Sequence, residues 1–261
     1  MSFPYKHVLL IGATAGIGRA MADRFAETGL KVTAVGRRQE RLDEFVNKYG
    51  ADKASGVAFD ISDTSKIPEF AESVLKAHPD IDCLFLNAGT QSIFDLSEPA
   101  GFDLAKFIQE VTLNFNSMVA LAHAFLPHLI KQETPTSIIF TGSNIAIVPA
   151  ATLAAYCSSK AALNVFTLCL RDNLRDTNVK VIEVSPPPVQ TELHDYMGEE
   201  KGRALGMPVD QFTNEAHKGL LEGKDQIVVG AVGNPEIFHE IVDKRRQAFT
   251  NLASFMRSLA H

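Results

Sequence analysis

Short β-branched runs alternate with longer segments of helical period along most of the chain, and this alternation limits the fold more than any other feature. A strand followed by a helix, repeated, is typical of a parallel sheet with helices on both faces. Several of the short runs are apolar nearly throughout, as burial on both faces of a sheet requires. Seven strands are predicted, at His7–Ile11, Lys31–Val35, Ser55–Phe59, Cys83–Leu86, Ser137–Thr141, Lys180–Val184 and Gln226–Val229. The helical segments between them include Gly16–Thr28, Arg38–Tyr49, Ser65–His78, Phe102–Lys131 and Ala154–Asp176.

The chain of 261 residues is long enough for one α/β domain with a large core, and 46% of its residues are apolar. No repeat, low-complexity block or linker divides it. The pattern therefore predicts a single doubly wound parallel-sheet (Rossmann) domain over residues 1–261, with about seven strands and helices on both faces. The region after the sixth strand predicts a substrate loop over 190–208, and apolar residues at helical spacing predict a C-terminal helix over 235–259.

Composition and charge argue against several classes of function. The net charge of −6, with no long basic run, argues against a nucleic-acid partner. No apolar stretch reaches the ~20 residues of a membrane-spanning helix, and the N-terminus lacks the features of a secretion signal, so we expect a cytoplasmic protein without a membrane partner. The three cysteines are expected to be buried free thiols. No cysteine or histidine spacing suggests a metal site.

A glycine-rich turn, Gly12-Ala13-Thr14-Ala15-Gly16-Ile17-Gly18, directly follows the first predicted strand and opens the first helix. Glycines let a backbone turn sharply and approach a pyrophosphate, while the N–H groups at the helix start face its negative charge. A tight turn without a ligand is the alternative, but the position at the first strand–helix junction favours a dinucleotide. The residues predicted to bind the cofactor here are Gly12, Thr14, Gly16, Ile17 and Gly18.

The G-x-x-x-G-x-G spacing resembles the first motif of the classical short-chain dehydrogenase/reductase family, T-G-x-x-x-G-x-G, with Ile11 in place of the threonine. Asp60 and Ile61, after the third strand, resemble that family's adenine-contacting pair. Asn87-Ala88-Gly89, after the fourth strand, resembles its N-N-A-G motif, with Leu86 in the first position. The resemblance implies that these residues contact the cofactor. A helix cap for Asp60 and a turn for Asn87 are the structural alternatives.

The end of the second strand indicates which nicotinamide cofactor is used. An acid there would bind the adenosine ribose and repel a 2′-phosphate, whereas this chain has Arg37 and Arg38 and no acid. A guanidinium suits a phosphate because its charge is permanent and its donors form a planar fork. We therefore expect NADP(H) to be preferred, with NAD(H) possible and Arg37 the better placed of the two. Either arginine could instead belong only to the start of the next helix.

The pattern Y-x-x-x-K, the central motif of the family, occurs twice. Tyr49 to Lys53 contains Gly50, lies between a helix and a strand and has no polar partner upstream, so we discard it as a coincidence. Tyr156 and Lys160 lie inside a predicted helix, where this spacing places both side chains on one face. A phenol titrates near pH 10, and a neighbouring ammonium and an oxidised nicotinamide favour its ionised form. We therefore expect them to draw the pKa of Tyr156 towards neutrality.

The resemblance implies four catalytic residues, in the order Asn114, Ser143, Tyr156 and Lys160. Ser143 lies thirteen residues before Tyr156, the usual spacing in the family, and would hydrogen-bond the substrate oxygen. Asn114 would disturb its helix so that a carbonyl can hold a water leading to Lys160. Asn116 is the rival, and we prefer Asn114 for its phase with the rest of that helix. Lys160 would also hold the nicotinamide ribose.

The segment after the sixth strand departs from the family. The usual P-G-x-V-x-T is replaced by Pro186-Pro187-Pro188-Val189-Gln190-Thr191. Proline has neither the positive φ of glycine nor a backbone N–H, so the path of this segment beside the nicotinamide must be specified differently. Pro186, Val189 and Thr191 still match cofactor contacts of the family. The triple proline resembles the bacterial DltE-like oxidoreductases and their fungal relatives.

The resemblance implies an NADP(H)-dependent oxidoreductase that interconverts a ketone or aldehyde and an alcohol, with Tyr156 as general acid or base. A catalytically silent or non-redox cofactor-binding protein of the same fold is the alternative. The small-molecule substrate is expected to meet Asn144–Ala150 and the loop, whose charged residues, including Glu192, are expected to form a solvated face. A homodimer or homotetramer is also expected. Apolar residues that could pack against a second subunit, or in the core, are Val111, Met118, Val165 and Leu168.

Overall fold

A computed structural model of the chain describes residues 3–259, so the two outermost positions at each end of the expected 1–261 domain lie outside the described residues. At its centre is a parallel sheet with the strand order β3-β2-β1-β4-β5-β6-β7. The strands are β1 (His7–Ile11), β2 (Lys31–Gly36), β3 (Ala54–Ala58), β4 (Cys83–Leu86), β5 (Thr136–Thr141), β6 (Val179–Ser185) and β7 (Gln226–Val228). The predicted fold class is confirmed, and every predicted strand exists with its bounds within about one residue of those expected.

Helices cover both faces of the sheet. The α-helices are α1 (Gly16–Glu27), α2 (Gln39–Tyr49), α3 (Ile67–Ala77), α4 (Leu104–Val111), α5 (Ser117–Lys131), α6 (Ala154–Asn173), α7 (Glu199–Ala204), α8 (Val209–Leu221) and α9 (Pro235–Ser258). Short 3₁₀ segments lie at Thr64–Lys66, Asn144–Ala146 and Glu192–Met197. Among residues 3–259, no helix is both long enough and apolar enough to cross a membrane.

The strands direct alternate side chains into two apolar layers, as the two-residue period of a strand requires. In β1, Val8 and Leu10 pack into one layer, whereas Leu9 and Ile11 pack into the other. The first layer is covered by α1, α2 and α8, and the second by α3, α5 and α6. Burial on both sides explains why the strands could be recognised as continuous apolar runs.

The sequence predicts one continuous helix over 102–131, and this prediction is wrong in one respect. Between α4 and α5 the chain forms a π-helical turn at Thr112–Asn116. Such turns insert one residue into the helical repeat and often occur at functional sites. This one leaves Asn114 fully buried and Asn116 exposed.

Two expectations about burial also need correction. Cys169 is exposed, whereas the other two cysteines are buried as expected. Met118 and Leu168 are buried within the chain itself, so neither is available to a second subunit. Val165 is 50% exposed and stays available to one.

Candidate active site

A cleft of about 790 Å³ opens at the carboxyl ends of the strands. It lies where the strand order reverses, next to β1 and β4, which is the usual ligand crevice of such sheets. The topology therefore brings together turns that are far apart in sequence. The predicted residues that line it are Gly12, Thr14, Gly16, Ile17, Arg37, Arg38, Asp60, Ile61, Asn87, Ala88, Gly89, Ser143, Tyr156, Lys160, Pro186, Val189 and Thr191. Gly18 and Asn114 lie behind this wall.

The turn between β1 and α1, with Arg37 and Arg38 beside it, forms what we call the glycine-turn end of the cleft. A Cβ at Gly18 would lie 2.0 Å from the carbonyl oxygen of Gly12, so no side chain fits there. Gly12 has a φ of +87°, and a Cβ on it would lie 2.6 Å from the Cα of Ala88. Within the described chain, no side chain caps α1 and its first turn carries no acid. The N–H groups at this helix start fit an anionic group such as a pyrophosphate.

Asn87 holds the glycine turn in place. Its Nδ2 donates to the carbonyl of Gly12 at 3.1 Å, and its Oδ1 accepts from the hydroxyl of Thr141 at 2.9 Å. The amide of the next residue, Ala88, donates to the carbonyl of Ile11 at 3.0 Å. Both ends of the Asn87 side chain are thus used by the chain, which fits the turn role that the sequence left as the alternative.

Asp60 and Ile61 continue the same wall beyond β3. One oxygen of Asp60 accepts from the amide of Ser62 at 3.0 Å, and the other lies 3.9 Å from Nη1 of Arg37. Ile61 is buried, and its carbonyl accepts from the hydroxyl of Ser117 at 2.7 Å. Asp60 therefore stabilises a local turn while its carboxylate stays half-exposed at the rim.

Glu192 crosses the cleft to the glycine-turn end. Its two oxygens accept from Arg38 and Arg41, each at 2.7 Å, and these arginines also donate to the hydroxyl and the carbonyl of Thr14. Although burial alone would raise it, the hydrogen bonds from both guanidiniums keep the pKa of Glu192 below its ordinary value. The expected solvated face is therefore wrong for Glu192. Arg37 stays 71% exposed at the rim.

Tyr156 lies in the first turn of α6 at the floor of the cleft and is 6% exposed. Burial raises the pKa of its phenol, and the nearby Ser143 hydroxyl lowers that pKa only in part. The ammonium of Lys160 lies 5.6 Å from the centre of the Tyr156 ring. Among the groups of the chain itself, burial outweighs the contacts that lower this pKa, and the fall expected from Lys160 together with an oxidised nicotinamide stays a prediction.

Lys160 is buried on the same face of α6, and its Nζ donates to the carbonyl of Thr141 at 2.7 Å. Burial lowers the pKa of Lys160 to about 8, and the buried Glu183 offsets this only in part. A Cβ on Gly89 would lie 3.8 Å from this Nζ and 3.4 Å from Oδ1 of Asn114. Gly89 therefore separates the lysine from the asparagine.

Asn114 binds the segment that follows β4 through two hydrogen bonds. Its Oδ1 accepts from the amide of Thr90, and its Nδ2 donates to the carbonyl of the same residue, both at 2.8 Å. A third contact joins Nδ2 to the hydroxyl of Ser159 on α6 at 3.2 Å. The π turn thus places Asn114 between two walls of the cleft, whereas Asn116 lies at the surface.

The segment with three prolines takes its path from a later part of the chain. The amide of Gln190 donates to the carbonyl of Met207, and the amide of Met207 donates to the carbonyl of Pro188, both at 2.9 Å. Gly206, with a φ of +90°, leads into this pairing, and a Cβ on it would lie 2.1 Å from the carbonyl oxygen of Pro188. This pairing with Met207 therefore fixes the path of the segment that follows the prolines.

Two sequence-based expectations are resolved by position. The discarded Tyr49 lies at the surface, where its hydroxyl donates to Glu27 at 3.2 Å. Asn144, expected to meet the substrate, is buried, and its Nδ2 donates to the carbonyl of Val229 at 2.9 Å. Asn144 therefore joins the turn after β5 to the end of β7, and the expected substrate contact is wrong for it.

Residues that the sequence analysis did not single out form the Glu110 end of the cleft. They are Gln91, Ser92, Lys106, Glu110 and Tyr196. A signal was available for Glu110, because it shares one helix face with Phe107 and Asn114 and is an acid at a position that helical spacing directs inwards. Arg41 was also missed, since its partner Glu192 lies far away in the sequence.

The family model that describes short chain dehydrogenases matches residues 6–202 of the sequence. The chain belongs to the short-chain dehydrogenase family. It is 36% identical over 228 residues to the uncharacterized oxidoreductase DltE of Bacillus subtilis (strain 168), a match that covers 87% of this chain and 89% of that protein. The resemblance to the DltE-like branch is therefore confirmed.

Two solved structures share the fold. A short-chain dehydrogenase/reductase from Burkholderia phymatum in complex with NAD has a TM-score of 0.81 at 20% identity, over 92% of this chain and 93% of the other. A short-chain dehydrogenase from Sphingobium yanoikuyae in complex with NADPH has a TM-score of 0.81 at 22% identity, over 94% and 95%. Family membership makes the chain an NAD(P)-dependent oxidoreductase that acts on CH–OH or C=O groups.

Proposed function

We propose that the protein is an NADP(H)-dependent oxidoreductase that interconverts a ketone or aldehyde and an alcohol, with Tyr156 as general acid or base. The observation that carries this proposal is the buried phenol of Tyr156, with Ser143 and Lys160 beside it at the floor of the cleft. A proton donor, a hydroxyl and an ammonium close to a turn that fits a pyrophosphate are the parts that carbonyl reduction needs.

The cofactor would lie along the wall from the glycine turn to Tyr156. The N-terminus of α1 fits the pyrophosphate, Asp60 and Ile61 the adenine, and Lys160 the nicotinamide ribose. Residues proposed to complete the site are Gly12, Thr14, Gly16, Ile17, Gly18, Asn87, Ala88, Gly89, Pro186, Val189 and Thr191. When bound, the cofactor supplies or accepts the hydride.

The side chains of the chain itself handle the proton. In reduction, the phenol of Tyr156 gives its proton to the substrate oxygen as the carbonyl carbon gains the hydride, and in oxidation the phenolate takes the proton back. The raised pKa keeps Tyr156 a proton donor at neutral pH. Lys160 is charged below its pKa of about 8 and favours the phenolate that remains. Ser143 donates a hydrogen bond to the substrate oxygen.

Asn114 acts in this proposal as a positioning residue. Through Thr90 and Ser159 it fixes the segment that follows β4 against α6. That segment contains Gly89, which lies against Lys160. The asparagine therefore holds the ammonium and the cofactor wall at a constant separation.

The preference for NADP(H) is supported by the arginines at the glycine-turn end. Arg37 presents an exposed guanidinium at the rim, and Arg38 contacts Thr14 inside it. The guanidinium groups of Arg37 and Arg38 would both bind a 2′-phosphate. Because Glu192 already occupies Arg38 and Arg41, Arg37 contributes most of the discrimination, and NAD(H) stays a possible cofactor.

The remaining parts of the proposal concern the loop, the assembly and the compartment. The loop over 190–208 closes one side of the substrate site, since Tyr196 and Leu205 line the cleft. Exposed apolar side chains on α4 and α6, such as Ile108 and Val165, support a homodimer or homotetramer. The exposed thiol of Cys169 fits a reducing compartment, the cytoplasm.

Turnover by the purified protein tests the proposal. NADPH and NADH oxidation is followed by absorbance across a panel of aldehydes, methyl ketones, cyclic ketones and keto acids, with the matching alcohols in the reverse direction. We expect NADPH-dependent turnover of at least one carbonyl compound. Tight NADPH binding without turnover across the panel would support the silent or non-redox alternative instead.

A further inference from the structure

Glu110 is a buried acid in the wall of the cleft, and the mechanism proposed above does not use it. The residue is 2% exposed, and it lines the cleft at the end of α4. Within residues 3–259, neither of its carboxyl oxygens has a hydrogen-bond partner. Leaving a buried acceptor without a donor costs free energy. An acid without a partner in a ligand cleft therefore indicates a group that the ligand itself satisfies.

The groups that face Glu110 come from four parts of the chain, and Ser92 is the one whose hydroxyl and amide lie near enough to lower the pKa of Glu110, although neither comes within hydrogen-bond distance of its oxygens. The facing groups are Ser92 from the segment after β4, Lys106 from the preceding turn of α4, Tyr156 and Cys157 from α6, and Tyr196 from the loop. Lys106 is the basic group among them, and its side chain is exposed. The surroundings of the carboxyl group are thus formed mainly by neutral groups.

The protonation of Glu110 is therefore easily changed. Burial raises the pKa of Glu110 to about 7, and Ser92 and Lys106 offset this rise only in part. A cation placed against the carboxyl group would favour its ionised form at neutral pH. An anionic ligand would be repelled by that form, and an apolar ligand would leave both oxygens without a donor.

Glu110 also lies close to the reacting position. The helix that carries it, α4, packs against α6, which carries Tyr156, and both side chains line the same cleft. A substrate whose carbonyl oxygen meets Tyr156 would therefore bring the atoms next to that carbonyl towards Glu110. The group that satisfies Glu110 belongs on one of these neighbouring atoms.

We propose that Glu110 is a substrate-binding residue, and that the substrate carries a primary ammonium group next to its carbonyl or carbinol carbon. The substrate class is then an amino ketone in reduction and an amino alcohol in oxidation. A primary ammonium brings three N–H donors and a charge opposite to that of the carboxylate. This inference rests on the proposed function, because it takes Tyr156 as the residue that meets the carbonyl oxygen.

Four methyl ketones of similar size test the inference. Aminoacetone carries the ammonium, hydroxyacetone a neutral donor, 2-butanone an ethyl group and pyruvate a carboxylate. We expect kcat/KM with NADPH to fall in that order. Aminoacetone should exceed 2-butanone by about 10- to 100-fold, because a hydrogen bond to a charged group contributes that much discrimination.

The variants Glu110→Gln and Glu110→Met separate charge from structure. Both keep the volume of the side chain, and Glu133→Gln is the control at an exposed acid outside the cleft. In both Glu110 variants the ratio of kcat/KM for aminoacetone to kcat/KM for 2-butanone should fall to about threefold or less. Circular dichroism and the melting temperature check that each variant is folded.

Binding measured without turnover distinguishes failure of this inference from failure of the proposed function. Calorimetry follows 1-amino-2-propanol and 2-butanol in the presence of NADPH, which cannot accept a hydride from an alcohol. Selective binding of the amino alcohol that is lost in Glu110→Gln supports the inference even if none of the four ketones is reduced. The proposed function fails only if the wider carbonyl panel also shows no turnover. Equal binding of both alcohols, or an amine preference that survives in Glu110→Gln, overturns the inference.

Discussion

The two ends of the cleft are built on different principles. At the glycine-turn end, the backbone sets the shape: Gly18 and Gly12 leave no space for a side chain, and Asn87 has a partner for both ends of its amide. At the Glu110 end, side chains from distant segments meet, and both oxygens of Glu110 lack a partner among the described residues. The comparison teaches that the backbone sets the shape of one end, whereas the other end places a buried acid without a partner among the described residues.

The largest effect is expected where the two ends meet, at Tyr156. Tyr156→Phe removes the proton donor and keeps the ring, so kcat for carbonyl reduction should fall by about 10³-fold. Tyr49→Phe changes the tyrosine of the other Y-x-x-x-K pattern and should leave kcat unchanged, because the hydroxyl of Tyr49 donates to Glu27 and the residue does not line the cleft. Steady-state kinetics on both variants measure this. A similar loss in both would contradict the role of Tyr156.

A substitution at the glycine-turn end should weaken cofactor binding because it displaces the backbone. In Gly18→Ala, the new Cβ would lie 2.0 Å from the carbonyl oxygen of Gly12, so the turn must move. NADPH affinity, measured by calorimetry, should weaken by about 100-fold, which corresponds to about 2.7 kcal/mol. Gly101→Ala is the control, since a Cβ there meets nothing closer than 3.7 Å. Unchanged affinity in Gly18→Ala would show that the turn is not part of the cofactor site.

At the Glu110 end, the charge of the carboxyl group should instead make the stability of the protein depend on pH. The folded-state pKa of Glu110, about 7, lies above the ordinary value of 4.5, so between these pH values the folded chain holds a proton that the unfolded chain has lost. The contribution of Glu110 to the free energy of unfolding therefore falls as the pH rises from 4.5 to 7. Relative to the wild type, Glu110→Gln should gain about 1–3 kcal/mol in the free energy of unfolding between pH 4.5 and pH 8. Urea titrations at both pH values measure this difference, and a constant difference would contradict the raised pKa.

The smallest effect is expected at the rim of the glycine-turn end. Arg37→Ala should raise KM for NADPH by about tenfold, because a charge-assisted hydrogen bond to a phosphate is lost. KM for NADH should stay within about twofold, which makes NADH the internal control. Equal changes for both cofactors would assign the 2′-phosphate to another group, such as Arg38.

The same comparison explains what the sequence could predict. The strands were recognisable because both faces of the sheet are buried. The glycine turn was recognisable because the seven residues that set its backbone conformation are adjacent in the sequence. Asn114, Ser143, Tyr156 and Lys160 were found by their order and spacing, and the roles assigned to them stay predictions.

Other features could not be read from the sequence, because they depend on contacts between distant segments. Glu192 meets Arg38 across 154 residues, so its ion pair has no local pattern. The bridge from Val189 to Met207 likewise joins two segments that are apart in the sequence. The raised pKa of Tyr156 follows from burial, which opposes the effect expected from Lys160 and an oxidised nicotinamide.

Isotope transfer tests the central claim most directly. NADPH carrying deuterium at C4 of the nicotinamide, on one face or the other, is incubated with the methyl ketone that turns over fastest, and the product is examined by mass spectrometry and NMR. The account predicts that deuterium from one of the two faces appears on the carbinol carbon of the product, and that Tyr156→Phe makes this product at about 10³-fold lower rate. NADPH consumption that yields no deuterated alcohol from either label, or an undiminished rate in Tyr156→Phe, would contradict it.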